Sequence, residues 1–284
     1  MTYWILVAAK NAAKHLTMTL DSLTAQTLRP ERIVIVDDGS TDATPEILSQ
    51  YKEANKGTVQ IITRPDRGYD IRRVPSNINL AWKTVKETGL TSDYFMISGD
   101  DCVYPSDYAS TLIARMDFDR RIVVTSGSPS SNRGLARERT PSGSGRMISA
   151  KFWLEIGEMN PVKAGWEAWL LYQADMRGKK VSLFNDLAYT HVQPRGTKHQ
   201  FVYWGAAMET LGYNPLYAFG RIVKNAVTPT LDPRRAVNML RGYLQAKLGS
   251  SDPFIAPFEP SLRVFVSNQQ TLRIIRIVSS LKRQ

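Results

Sequence analysis

Ile33-Val34-Ile35-Val36-Asp37-Asp38-Gly39-Ser40 is a run of four β-branched residues that stops on two aspartates and a turn. Tyr94-Phe95-Met96-Ile97-Ser98-Gly99-Asp100-Asp101 repeats the plan further along the chain. A short apolar run bounded by turn residues reads as a strand buried on both faces, the habit of parallel α/β sheets. Such sheets bind ligands beyond the carboxyl ends of their strands, so both carboxylate pairs are expected on one rim. Four acids gathered there repel one another, and a divalent cation or ligand donors would compensate them. Alone, Asp37-Asp38-Gly39 would also read as a plain turn with an Asx bond.

The surrounding pattern supports an α/β reading. Strand signals fall near 3–7, 32–36, 59–62, 93–97, 122–125 and 181–184, and helical signals lie between them near 12–27, 45–55, 76–88, 106–116, 148–157 and 166–177. Alternation of this kind implies βαβ units and a mostly parallel central sheet with flanking helices. Thr44 is expected to cap the second helix, with Pro45 at its first position, where a missing N–H costs nothing.

Past residue 195 the strand signals stop. Helices are expected near 200–211, 214–226 and 233–248, the last opened by Asp232-Pro233. After the Pro-rich 252–260, Ile274, Ile277, Val278 and Leu281 follow helical spacing beside Arg273, Arg276, Lys282 and Arg283. That run reads as an interfacial helix, or as a helix packed on the protein or on a second copy. The expected domains are therefore 1–195 and a basic helical region, 196–284.

Residues 126–146 form a long Gly/Ser/Pro stretch carrying Arg133, Arg137, Arg139 and Arg146. It reads either as a lid over phosphates or as a solvated surface loop.

Composition bounds the rest. The chain has 284 residues, 43% of them hydrophobic, which is enough for a full core and excludes a disordered protein. Its net charge of +11 is uneven: residues 1–194 contribute +2 and residues 195–284 contribute +9. A basic C-terminal third attracts the phosphates of lipid headgroups, nucleic acid or an anionic substrate. No aromatic–basic recognition motif or helix-turn-helix pattern accompanies it, so no nucleic-acid partner is expected. The lone Cys102 cannot form an internal disulfide, and Tyr3 to Val7 enters a strand without the pattern of a secretory leader. Both suggest a cytoplasmic setting, peripheral to a membrane if the tail is interfacial, and no spanning helix is expected.

Val36-Asp37-Asp38-Gly39-Ser40-Thr41-Asp42 with Ser98-Gly99-Asp100-Asp101 resembles the family 2 glycosyltransferases of the GT-A fold. Further landmarks follow in the family's order: Val7-Ala8-Ala9-Lys10-Asn11, Arg72-Arg73-Val74-Pro75-Ser76-Asn77, Phe152 to Met159, and Gly165-Trp166-Glu167-Ala168-Trp169. The resemblance covers about residues 3–195. It implies an inverting, metal-dependent transfer of a sugar from a nucleotide-sugar donor to a hydroxyl of a glycan or lipid-linked saccharide. By this likeness Ala8, Asn11, Asp37, Asp38, Arg72, Arg73, Asn77, Asp100 and Arg195 would contact the donor. Asp101, with Asp100 and His191, would hold Mn²⁺ or Mg²⁺, and Glu167 would be the base.

Two positions depart from the family. Ala168 stands where a second acid is common, and the metal motif reads Gly99-Asp100-Asp101 in place of Asp-x-Asp. Trp166 and Trp169 beside Glu167 suggest a desolvated carboxylate, better suited to take a proton. A polyprenyl-phosphate acceptor, which needs no base, is the enzymatic rival, and a non-catalytic sugar-nucleotide binder the other.

Overall fold

A computed structural model describes residues 1–130, 140–193, 201–227 and 233–281. The chain divides into two compact units, 1–160 with 178–197, and 161–177 with 198–284.

The first unit is an eight-stranded sheet ordered β3-β2-β1-β4-β7-β6-β8-β5. Its strands are β1 (Tyr3–Ala9), β2 (Arg32–Asp37), β3 (Val59–Thr63), β4 (Tyr94–Ser98), β5 (Cys102–Val103), β6 (Ile122–Pro129), β7 (Arg146–Ser149) and β8 (Lys180–His191). β1 pairs in parallel with β2 and β4, and β2 with β3. β7 runs antiparallel between β4 and β6. The sheet is thus mostly parallel, as the alternation implies. β5 and β7, two and four residues long, carry too little pattern to be read from sequence.

Period-two alternation fixes which face each side chain serves. Tyr3, Ile5 and Val7 of β1 pack in one cluster with Leu16, Leu20 and Leu23 of α1 (Leu16–Thr24) and Leu112 and Met116 of α4 (Tyr108–Phe118). Trp4 points the other way, its ring centroid 5.2 Å from that of Trp82 on α3 (Val74–Lys86). Phe95 and Trp153, the latter on α5 (Ala150–Glu155), complete that aromatic layer at 5.4 Å. Trp153 is fully buried, so truncating it to alanine would cost about 3–5 kcal/mol.

The helix after β2 begins differently from the expectation. α2 (Thr44–Ala54) takes Thr44 as its first residue. Asp42 Oδ1 accepts the Thr44 N–H at 3.0 Å, while the Thr44 hydroxyl accepts the Ala12 N–H at 2.8 Å. The capping oxygen is therefore a carboxylate, and the threonine staples the β1 loop to the helix. Arg146 also departs from its expected place on a lid. It is buried, and its guanidinium donates to the carbonyls of Ser142 at 2.9 Å and Pro141 at 3.1 Å. Arg133, Arg137 and Arg139 lie outside the described residues.

The second unit is helical: α6 (Trp166–Met176), α7 (Phe201–Thr210), α8 (Pro215–Val227), α9 (Pro233–Lys247) and α10 (Pro260–Leu281). α7 and α9 approach through glycines. A Cβ on Gly205 would lie 1.8 Å from the Met239 carbonyl oxygen, and one on Gly242 would lie 1.8 Å from that of Val202. Only glycine admits such backbone contact. Phe201, Met208, Ala218, Ile222, Ala236, Met239 and Tyr243 form the core around that crossing.

Candidate active site

β1 lies between β2 and β4, and its register sets the site. Ala9 is level with Asp37, and Val7 is level with Ser98. The chain leaving β4 therefore delivers Asp100 beside the end of β1, next to the aspartates leaving β2.

Lys10 ties the two carboxylate pairs together. Its backbone N–H donates to Asp100 Oδ2 at 3.3 Å. Its buried ammonium donates to the carbonyl oxygens of Asp38 at 3.0 Å and Gly39 at 2.6 Å, and to Asp66 Oδ1 at 2.5 Å. The Asp66 carboxyl consequently lies below its usual range, first through the Lys10 hydrogen bond and then through the Gly68 N–H. Gly39 is required there. Its φ is +75°, and a Cβ would meet the Asp66 backbone nitrogen at 2.4 Å.

The members of the first pair have different surroundings. Asp37, 1% exposed, accepts the Ser40 N–H at 2.9 Å and hydroxyl at 2.6 Å on one oxygen. Its buried Oδ2 has no hydrogen-bond partner among the described residues. Asp38 pairs with Arg73 Nε at 2.7 Å, and Arg73 also donates to the carbonyls of Arg67 and Gly68. Arg72 instead forks onto Asp70, both Nε contacts at 2.9 Å. Of the two arginines expected at the donor, Arg73 is joined to an aspartate of the rim, and Arg72 organises its own turn.

Asn77 is buried and accepts a bond from Arg64. Asn11 sits at φ +50°, its N–H on Ser40 Oγ at 2.9 Å and its Oδ1 accepting the Thr41 N–H at 2.8 Å. Left-handed backbone suits asparagine better than most residues. Asn11 thus braces the Gly39–Thr41 turn, while half-buried Ala8 pairs with Val36 in the sheet.

The second pair meets β8. β5 pairs antiparallel with β8, placing Cys102 opposite His191, and the Val192 N–H donates to the Asp101 carbonyl at 2.8 Å. His191 Nδ1 lies 3.5 Å from Asp101 Oδ1 and 3.4 Å from Cys102 Sγ. These three ligand atoms fall within 4.8 Å of one another. Burial opposes ionisation of Asp101, yet its carboxyl stays below the usual range because hydrogen bonds and charge from His191, with help from Cys102 and His15, prevail. Burial, then the neighbouring Asp101, pushes the Cys102 thiol up to about 12. Asp100, expected to share the cation, is not in this cluster; Cys102, which sequence reasoning passed over, is. Its place beside Asp101 in a strand of two residues gave no pattern to find it by.

An ionised carboxylate beside an imidazole suits a divalent cation. Oxygen donors serve Mg²⁺ and Mn²⁺ alike, whereas the imidazole shifts the set towards Mn²⁺. The fully buried, protonated thiol reads as the back wall of the cluster.

Glu167 lies on α6 in the second unit, exposed, while Trp169 is buried and Trp166 half-buried. The desolvated setting expected between the tryptophans is therefore absent: helical spacing turns Trp169 inward and leaves the carboxylate outside. Arg195 lies outside the described residues.

Acid pairs thus follow the carboxyl ends of β2 and β4, the parallel strands on either side of β1, as the resemblance to the GT-A glycosyltransferases implies. Residues 4–177 match the family described as Glycosyl transferase family 2, and the chain belongs to that family. It is thus a glycosyltransferase by class. No curated protein matches it. Solved structures share its fold at low identity. TarS 1–349 from S. aureus, in complex with UDP-GlcNAc, is 16% identical with a TM-score of 0.56, covering 86% of this chain and 72% of that one. The mannosyltransferase PcManGT from Pyrobaculum calidifontis, in complex with GDP-Man and Mn²⁺, is 15% identical with a TM-score of 0.55, covering 88% and 76%. GalNAc-T7 with UDP, GalNAc and Mn²⁺ is 14% identical with a TM-score of 0.57, covering 84% of this chain and 53% of that one.

Proposed function

We propose that this protein is an inverting glycosyltransferase that moves a sugar from a nucleoside-diphosphate donor to a hydroxyl acceptor, a glycan or lipid-linked saccharide, with Mn²⁺ or Mg²⁺. The observation that carries this reading is Lys10, which touches both aspartate pairs at once. In this reading it joins the two pairs into one ledge, the first pair serving the nucleobase and the second the diphosphate. GDP-Man and Mn²⁺ named with PcManGT, and UDP-GlcNAc named with TarS, support a nucleotide-sugar donor and a divalent cation for this reading.

In this reading Asp37 Oδ2 and Asp38 accept hydrogen bonds from the nucleobase, and Arg73 holds Asp38 in place. Asp100 faces the ribose. Asp101 and His191 would hold the cation, and when bound it would supply Lewis-acid compensation for charge on the departing diphosphate. Glu167 takes the proton of the acceptor hydroxyl as its oxygen attacks the anomeric carbon, and departure from the opposite face inverts the configuration. The catalytic domain is taken as 1–195 and the basic helical region as 196–284. Among the described residues no helix is long and apolar enough to cross a membrane, so contact with anionic lipid would be peripheral.

Thermal-shift titration with UDP-, GDP- and dTDP-sugars plus Mn²⁺ tests the donor, because a ligand bound only by the folded state raises stability with concentration. A metal-dependent rise with one nucleotide series is expected. No rise with any donor would end the proposal. Glu167→Gln then tests the acceptor: transfer should fall by about 100-fold or more if a hydroxyl must be deprotonated.

A further inference from the structure

α8 and α9 pack together in the second unit, and each has an apolar face wider than the core covers. On α8, Ala218 and Ile222 are buried, whereas Leu216, Phe219 and Val223 on the adjoining arc are 73%, 62% and 40% exposed. On α9, Ala236, Met239 and Tyr243 are buried, while Val237, Leu240 and Leu244, with Leu248 just beyond, are 66%, 40%, 43% and 84% exposed. Spacings of three and four residues align each set into a stripe, roughly 16 Å long on α9 at about 1.5 Å per residue. A surface helix normally turns such positions into the core or fills them with polar residues.

Charge identifies the occupant. The two helices hold Arg221, Lys224, Arg234, Arg235, Arg241 and Lys247 and no acid. By helical position, Arg241 and Arg234 follow the exposed arc of α9, and Lys224 and Arg221 occupy the polar side of α8. A second copy of the chain seated here would set this cationic surface against itself. Anionic headgroups would be attracted by it, and the acyl boundary beneath them would accept the leucines, valines and phenylalanine.

We propose that the exposed faces of α8 and α9 dock this protein on an anionic lipid surface, independently of the C-terminal run that sequence singled out. Basic side chains can keep their charged ends at headgroup level while their stems cover apolar surface. The contact is interfacial and reversible, since neither helix is a membrane span.

Co-sedimentation of the full chain with phosphatidylcholine vesicles, with and without phosphatidylglycerol, tests this without donor or acceptor, so its failure leaves the transfer reaction untouched. Binding is expected only with the anionic lipid and should weaken as salt rises. Phe219→Ser with Leu240→Ser and Leu244→Ser should weaken it roughly tenfold or more, while Leu272→Ser with Ile275→Ser on α10 should leave it unchanged. Lys224→Glu with Arg241→Glu, which alters no apolar side chain, gives the same loss and serves if the serine variant melts early. The inference is overturned if the wild type ignores anionic vesicles, if the α10 variant alone loses binding, or if the wild type is a dimer that the serine substitutions dissolve.

Discussion

The two aspartate pairs look interchangeable in sequence and do different work in the fold. Asp37-Asp38 is held by its own turn and by a cation from α3's approach: Ser40 holds Asp37, and Arg73 holds Asp38. Asp100-Asp101 is held by backbone and by a distant strand: the Lys10 N–H meets Asp100, and His191 on β8 meets Asp101. The first pair is anchored almost as tightly as a structural motif. The second is assembled from segments about ninety residues apart in sequence, joined by loop closure that local propensity does not specify. A carboxylate already satisfied by a guanidinium suits recognition, whereas one facing an imidazole and a thiol suits an ion.

Asp101→Asn should break that comparison most forcefully. It removes the charge opposite His191, and kcat/KM should fall by about 100-fold or more, with a weaker apparent affinity for Mn²⁺. Release of nucleoside diphosphate at graded Mn²⁺ measures both, and unchanged metal dependence would move the cation elsewhere. Asp38→Asn should act on the donor: it leaves a half-buried Arg73 without its carboxylate, lowering stability by about 2 kcal/mol and donor affinity by roughly tenfold. Urea unfolding and calorimetric titration separate the two effects. Ser40→Ala deletes the hydroxyl that donates to Asp37 and accepts the Asn11 N–H, and should cost about 1–2 kcal/mol with donor affinity nearly intact.

The smallest effect is expected at Cys102. Cys102→Ala should cost about 1 kcal/mol and leave Mn²⁺ dependence unchanged if the thiol is only a wall; lost metal affinity would make it a ligand. The folded thiol titrates near 12, against about 8.5 in an unfolded chain. Its neutral form is therefore favoured by folding, and its contribution to stability, full below the lower value, is lost as pH rises through that interval. Thiol alkylation at pH 8 should be slow in native protein and fast in urea.

Much of this was legible beforehand because buried parallel strands are written as contiguous apolar runs. β1, β2, β3 and β4 lie where those runs predict, and the acids fall at their ends as the strand geometry requires. β5 and β7 escaped because two to four residues cannot show a period, and with them went Cys102's place beside His191. Lys10 stood in plain view after Ala9, but a lysine following a strand has no local mark of burial; its three acceptors come from β2's turn and the loop after β3. Glu167 shows the reverse error: flanking tryptophans suggested enclosure, yet residues two apart on a helix face different directions.

What the sequence determined by itself was the alternation of β1 to β4 with helices, the acid pairs at two strand ends and the crowding of positive charge into the last third, since all three are properties of neighbouring residues. Which acid meets an arginine, which meets a histidine, and which apolar faces of α8 and α9 stay uncovered was decided only by tertiary packing. Those outcomes depend on pairings between distant segments, and the energy that selects among them exists only once the sheet and the helical core have closed.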